Sequence, residues 1–183
     1  MVIKVMAERT ASAYTDARKR RIANRMEKTG YSGVQIALHW AIAGLIVINY
    51  FISARMGHAL KIHLDGTGAM GGTATVHVYA GVAMLVLVLV RLGVRIAQGV
   101  PAPTGHGLMD KLAAWAHKLL YLLMIVVPGL GVAAWYLAVR SAGDLHVLAM
   151  NAMMLLVLVH AAAALLHQFV LKDRLLLRML RRG

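Results

Sequence analysis

No charged side chain interrupts the chain between Lys28 and Arg55, and the apolar run at Val34–Ala54 is long enough to cross a bilayer. Three more runs of this kind follow, at about Thr75–Arg95, Leu112–Val139 and Leu145–Leu171. Where there is no water, only a helix or a closed barrel satisfies every backbone N–H and C=O. Four such runs therefore predict an all-α fold, a membrane four-helix bundle. The composition agrees: 60% of the 183 residues are hydrophobic, too many for an ordinary soluble domain.

The formal net charge is +13. Nucleic-acid binders can be this basic, but here the basic residues flank the apolar runs, so membrane topology explains them and no nucleic-acid partner is expected. Seventeen of the 20 Lys and Arg side chains lie in the N-terminal tail, around the second loop and in the C-terminal tail; three (Arg55, Lys61 and Arg140) lie in the first and third loops. By the positive-inside rule both termini are cytoplasmic, in a membrane crossed four times. Residues 1–28 read as a basic, disordered arm, residues 29–171 as the transmembrane domain, and residues 172–183 as a basic amphipathic helix lying on anionic lipid. The absence of cysteine excludes disulfides, iron–sulfur clusters and thioether-linked haem.

The connections are read more coarsely. His58 and His63 lie five apart in the Gly-rich first loop, without helical metal-ligand spacing, and are expected to be solvated; a short interfacial stretch is the alternative there. Pro101, Pro103, Gly105 and Gly107 break the second loop. Pro128-Gly129 should kink or loosen the third span, and Arg140–Asp144 reads as a very short third loop.

The fourth span carries His146 and His160, 14 residues apart and so nearly four helical turns, on one face and roughly 21 Å apart along the axis. Met153 and His167 continue the stripe, and Ala161–Ala164 leave room for a flat macrocycle. Two imidazoles in phase at two depths suit two stacked metal-centred cofactors. A lone membrane histidine would instead read as polar glue between helices. Depth supplies the partners. His77 opens the second span at the outer face, level with His146; His39 lies just inside the inner face, level with His160. Each pair can give the two axial nitrogens of a haem iron. Gly81, one turn from His77, would let a porphyrin edge approach the backbone. Arg91 and Arg95 are candidates for haem propionates, with positive-inside anchoring as the alternative. His117 competes for the inner site, but only His160 is in phase with His146. A propionate or quinone contact is therefore expected of His117, and Trp40 and His167 are the other quinone candidates.

Several motifs resemble bacterial cytochrome b561. They are Tyr31-Ser32 with Gln35-Ile36 and Leu38-His39-Trp40, then Val76-His77-Val78 with Gly81, and Val90-Arg91-Leu92. The last is His160-Ala161-Ala162-Ala163-Ala164-Leu165 continuing to His167, Lys172-Asp173 and Leu176-Leu177-Arg178-Met179. The resemblance covers about residues 26–181. It implies a four-helix bundle holding two non-covalent b haems, related to the cytochrome b subunits of nickel hydrogenases and formate dehydrogenases. In those relatives two ligands 14 apart on the fourth helix pair with ligands on the first and second helices. That carries over onto His146 and His160 with His39 and His77. It also implies electron exchange with quinone, ubiquinone being the expected partner, and one family member oxidises superoxide. Two departures stand out: the N-terminal arm is extra, and the third loop is shorter than in that member, which leaves room for a different donor.

Three functional readings follow. The first is a dihaem cytochrome moving electrons across the membrane between quinone and a small donor, or superoxide, at the periplasmic face. The second is a membrane anchor and electron relay for a partner dehydrogenase. The third is a haem-free helical scaffold held by lipid or a partner.

Overall fold

The computed structural model describes residues 6, 9, 12–19, 30–68, 71–101, 107–173 and 175–180. Five helices form its body: α1 Gly33–Phe51, α2 Met56–Asp65, α3 Gly72–Gln98, α4 Leu108–Tyr136 and α5 Arg140–Phe169; a single 3-10 turn follows at Leu176–Met179. No strand occurs among the described residues. Four of the helices, α1, α3, α4 and α5, are long and apolar enough to cross a membrane, as the apolar runs predicted. At 1.5 Å per residue α1 spans about 28 Å and the others about 40 Å or more. Their outward faces are apolar: Leu148, Leu155 and Leu158 of α5 are 67%, 66% and 64% exposed. Such an exterior suits lipid tails rather than water.

α1 packs on α3, α3 on α4, and α4 on α5. α1 begins with a capping box, in which the Ser32 hydroxyl accepts from the Gln35 N–H and the Gln35 side chain accepts from the Ser32 N–H. Buried Gln35 also donates to the Gly99 carbonyl at 2.8 Å, which ties the start of α1 to the end of α3. The core is a layer at mid-height: Ile42 and Ile46 from α1, Met84 and Val88 from α3, Leu120, Met124 and Val127 from α4, and Met153 from α5.

The connections differ from the sequence reading. The first loop contains α2, three turns of helix ended by Gly66 in the left-handed region (φ 65°). α2 lies against the bundle. A Cβ on Gly143 would stand 2.9 Å from Leu60 Cδ2, so the bare glycine lets α2 close on α5. Asp65 pairs with Arg140 at 2.6 Å. His63, expected to be solvated, stacks on Trp135 with ring centres 4.1 Å apart and planes 7° apart, while its other face stays exposed. Residues 140–144 are not a loop but the first turn of α5; the reversal takes only residues 137–139, with Ala138 at φ 56°. α4 runs unbroken through Pro128.

After α5 the described part of the C-terminal tail turns at Lys172 (φ 56°) and returns to the bundle as one 3-10 turn at Leu176–Met179. There the Met179 carbonyl accepts from the Trp40 indole N–H at 2.9 Å. In the N-terminal arm, read as disordered, residues 12–19 are helical and exposed; alanine and long basic side chains favour helix even without packing. The rest of that arm before residue 30 (residues 6 and 9 apart), with Pro103, Gly105, Arg174, Arg181 and Arg182, lies outside the described residues.

Candidate functional site: two stacked histidine pairs

The structure brings together the histidines that depth paired. His77 of α3 and His146 of α5 have ring centres 6.1 Å apart with planes at 78°. His39 of α1 and His160 of α5 are 6.5 Å apart at 72°. All four rings are half-buried. Imidazole–metal bonds are about 2 Å, and a ring centre lies about 1 Å behind its nitrogen. Two rings gripping one metal from opposite sides therefore sit about 6 Å apart. Both pairs fit that distance. No group of three or more His, Cys, Asp or Glu among the described residues could hold a bare metal ion. A two-histidine site needs its remaining ligands from elsewhere, as a macrocycle supplies them.

The outer rings are held in one tautomer by backbone. His77 donates from Nδ1 to the Asn49 carbonyl at 3.2 Å, and His146 donates from Nδ1 to the Val127 carbonyl at 2.7 Å. A carbonyl only accepts, so the proton sits on Nδ1 and the Nε2 lone pair is left for a metal. A single turn of α4 builds the place for His146. Gly131, one turn after Val127, has no side chain; a Cβ there would come within 3.3 Å of the His146 ring. The ring thus reaches the helix backbone. Around the pair lies a cavity of about 460 Å³, lined largely by apolar groups and by Asn49, His77, Gly81, Gly131, Trp135 and His146. That volume is in the range of cofactor sites. A Cβ on Gly81 would meet only Asn49 Nδ2, at 3.7 Å, so its bareness serves the cavity rather than helix packing.

Between the two pairs stands the apolar core layer. Met153, midway from His146 to His160, is fully buried, as is Val88. These side chains keep the two sites distinct and dry.

The inner site has a third imidazole. His117 of α4 lies 5.1 Å from His160, ring centre to ring centre, which is short for two ligands facing across one metal. Its Nδ1 donates to the Ala113 carbonyl one turn back, at 2.6 Å. Its neighbour Lys118 extends over the Trp115 ring, 4.8 Å from its centre. Arg91 donates from one terminal amino group to the Gln35 carbonyl at 2.8 Å and from Nε to the Tyr121 hydroxyl at 3.0 Å. It therefore ties α1, α3 and α4 together. Arg95 lies 5.5 Å from the Tyr121 ring centre. The two remaining sequence candidates are engaged. The Trp40 N–H is held by Met179, and His167 Nδ1 is 2.5 Å from the Asp173 carboxylate. That bond holds the Asp173 carboxyl below the usual carboxylate range.

Sequence reasoning missed Asn49, Gly131, Trp135 and the Val127 carbonyl. Asn49 had a readable signal, being a polar side chain deep in the first apolar run. The others had none, since a backbone carbonyl and a missing side chain acquire meaning only from what folds against them.

The family described as "Prokaryotic cytochrome b561" matches residues 30–182. Cytochrome b562 of Cereibacter sphaeroides is 50% identical over 155 residues, covering 85% of this chain and 98% of that protein. The probable superoxide oxidase CybB of Yersinia pestis is 30% identical over 173 residues, covering 82% and 95%. Cytochrome b561 homolog 1 of Escherichia coli is 27% identical over 182 residues, covering 87% and 98%. No solved structure matches the chain. The matched segment contains all four membrane helices and both histidine pairs, so the chain belongs to the prokaryotic cytochrome b561 family and is a multi-pass membrane haem protein of electron transfer.

Proposed function

We propose that His77 with His146, and His39 with His160, are the axial ligands of two b haems. We propose further that the chain carries electrons across a bacterial inner membrane between ubiquinone and a donor at the outer face. The observation that carries this reading is the spacing of the two pairs, 6.1 and 6.5 Å, each suited to one iron between two rings. Family membership supplies the b haem; two pairs separated by a dry layer support a count of two.

Each bound haem supplies a one-electron ferric/ferrous couple. Everything else falls to this chain's own residues. Asn49 and Val127 fix the outer rings through their carbonyls. Gly81 and Gly131 clear the space beside them. With both histidines of a pair holding it, such a group would serve electron transfer rather than oxygen binding. Met153 and Val88 exclude water from the interval, which is roughly 21 Å between histidines on α5.

Among the three quinone candidates His117 is the best placed. Its ring abuts His160, its Nδ1 proton is held by the Ala113 carbonyl, and its Nε2 has no hydrogen-bond partner among the described residues and could exchange a proton. Trp40 and His167 are committed to Met179 and Asp173.

The likeness to a protein described as a probable superoxide oxidase supports superoxide as the donor. Two superoxide anions would each give up one electron and leave as oxygen; ubiquinone would take both electrons and two protons to become ubiquinol. The test is pulse-generated superoxide added to the haem-loaded protein in ubiquinone-containing vesicles. Fast haem reduction followed by ubiquinol is expected. Haem reduction no faster than superoxide decay in buffer would remove superoxide from the account.

A further inference from the structure

Asn49 occupies an odd position for a polar residue. It lies in α1, an otherwise apolar membrane helix, and is only 7% exposed. Its side-chain oxygen is buried without a hydrogen-bond partner among the described residues. A leucine would fill such a site without an orphaned acceptor and its desolvation cost. Helix packing alone therefore does not account for asparagine here.

Asn49 is hydrogen-bonded to one residue, His77, twice. Its side-chain amide donates to the His77 carbonyl at 3.3 Å. Its own carbonyl accepts from His77 Nδ1 at 3.2 Å. The two bonds form a reciprocal clamp between α1 and α3: the amide fixes the height of His77's backbone against α1, and that height brings the imidazole N–H onto the Asn49 carbonyl. His146, the partner ring, has only a backbone carbonyl behind it and no such clamp.

We infer that Asn49 is a positioning residue for the outer haem, setting both the tautomer and the donor strength of His77. This rests on the reading of His77 as an axial ligand. A carbonyl accepting from the far ring nitrogen makes the imidazole a stronger base. A stronger base favours the ferric over the ferrous ion. The clamp thus holds the outer haem at a lower potential than an unclamped histidine would. Loosening it weakens the Nδ1 bond and raises that potential.

The experiment is a spectroelectrochemical titration of the haem-loaded protein, with low-temperature electron paramagnetic resonance of the ferric state. It compares wild type with Asn49→Ala, Asn49→Leu and His77→Ala. Asn49→Ala opens a hole, whereas Asn49→Leu keeps the volume and removes only the amide. The expected result is that both Asn49 variants keep two haems, that one midpoint rises while the other stays, and that one low-spin ferric signal moves. Wild-type midpoints and signals in Asn49→Leu would overturn the inference, because a packing role survives that change. Equal movement of both haems would also overturn it. The His77→Ala arm separates the two claims. If that variant keeps both haems, the ligand reading has failed; if it loses one while Asn49→Leu changes nothing, only the clamp has failed.

Discussion

At the scale of single residues, the outer site depends on absences as much as on side chains. Gly131 is the sharpest case. A methyl there would stand 3.3 Å from two ring atoms of His146, close enough that the ring must shift by a few tenths of an ångström. Gly131→Ala should therefore weaken the Val127 bond and broaden the outer haem's spectrum without losing the haem. Gly131→Leu cannot be absorbed by such a shift. It is expected to weaken retention of one haem by about tenfold or more, the cost of disturbing a group that orients a metal ligand. Haem content after detergent dilution checks this; two firmly held haems in Gly131→Leu would mean that the ring does not need this place. His117 makes the opposite prediction. With His39 and His160 spaced as ligands, His117→Ala should keep both haems and slow electron exchange with quinone. Loss of the inner haem would make His117 the ligand in place of His39. The pairing of the four histidines was legible because histidine is rare in apolar helices and a spacing of 14 preserves phase. Gly131 and Val127 were not, because their role is created by the helix that packs on them.

Among the elements, α2 and the C-terminal turn show where the sequence was hardest to read. The four long helices announce themselves by hydropathy. α2 has ten residues, four charged or polar side chains and a glycine among them, and its helical form depends on Trp135, Gly143 and Arg140 beneath it. The contacts that hold it differ in weight. The Arg140–Asp65 pair is exposed, so Asp65→Ala should cost under about 1 kcal/mol. Trp135 is buried, and Trp135→Ala should cost about 3–5 kcal/mol and free α2. Denaturation followed on the haem band would separate the two. At the inner end, Asp173 accepts from His167 and from the Leu175 N–H at 3.1 Å, which starts the 3-10 turn. Its carboxyl titrates below the ordinary carboxylate value, chiefly because of the His167 bond. The sign follows: the contribution is complete above the unfolded value near 3.9 and is lost as pH falls below it through the folded value. Amide exchange at Leu175 should thus stay slow, for its sequence, from neutral pH down to about pH 4 and speed up below that. Asp173→Ala, which removes the acceptor, should make that amide exchange fast even at neutral pH.

Taken as a whole molecule, the bundle holds two histidine pairs separated by a sealed layer, with a cavity of about 460 Å³ around the pair of His77 and His146. α5 spans both, α3 and α1 each complete one, and α4 supplies the backbone carbonyl behind His146 and the ring beside His160. This division explains why the fourth span carries two in-phase histidines while the first and second carry one apiece at opposite ends. It also follows that ligand changes should be local: emptying one site leaves the layer of Met153, Val88 and Val127 and the other site intact. The most direct test is haem quantification with a reduced-minus-oxidised spectrum of the purified, haem-replete protein and of His39→Ala, His77→Ala, His146→Ala and His160→Ala. Two haems in the parent chain and the loss of one in each variant are the predicted result. A single haem in the parent, or two in any of the four variants, would contradict it.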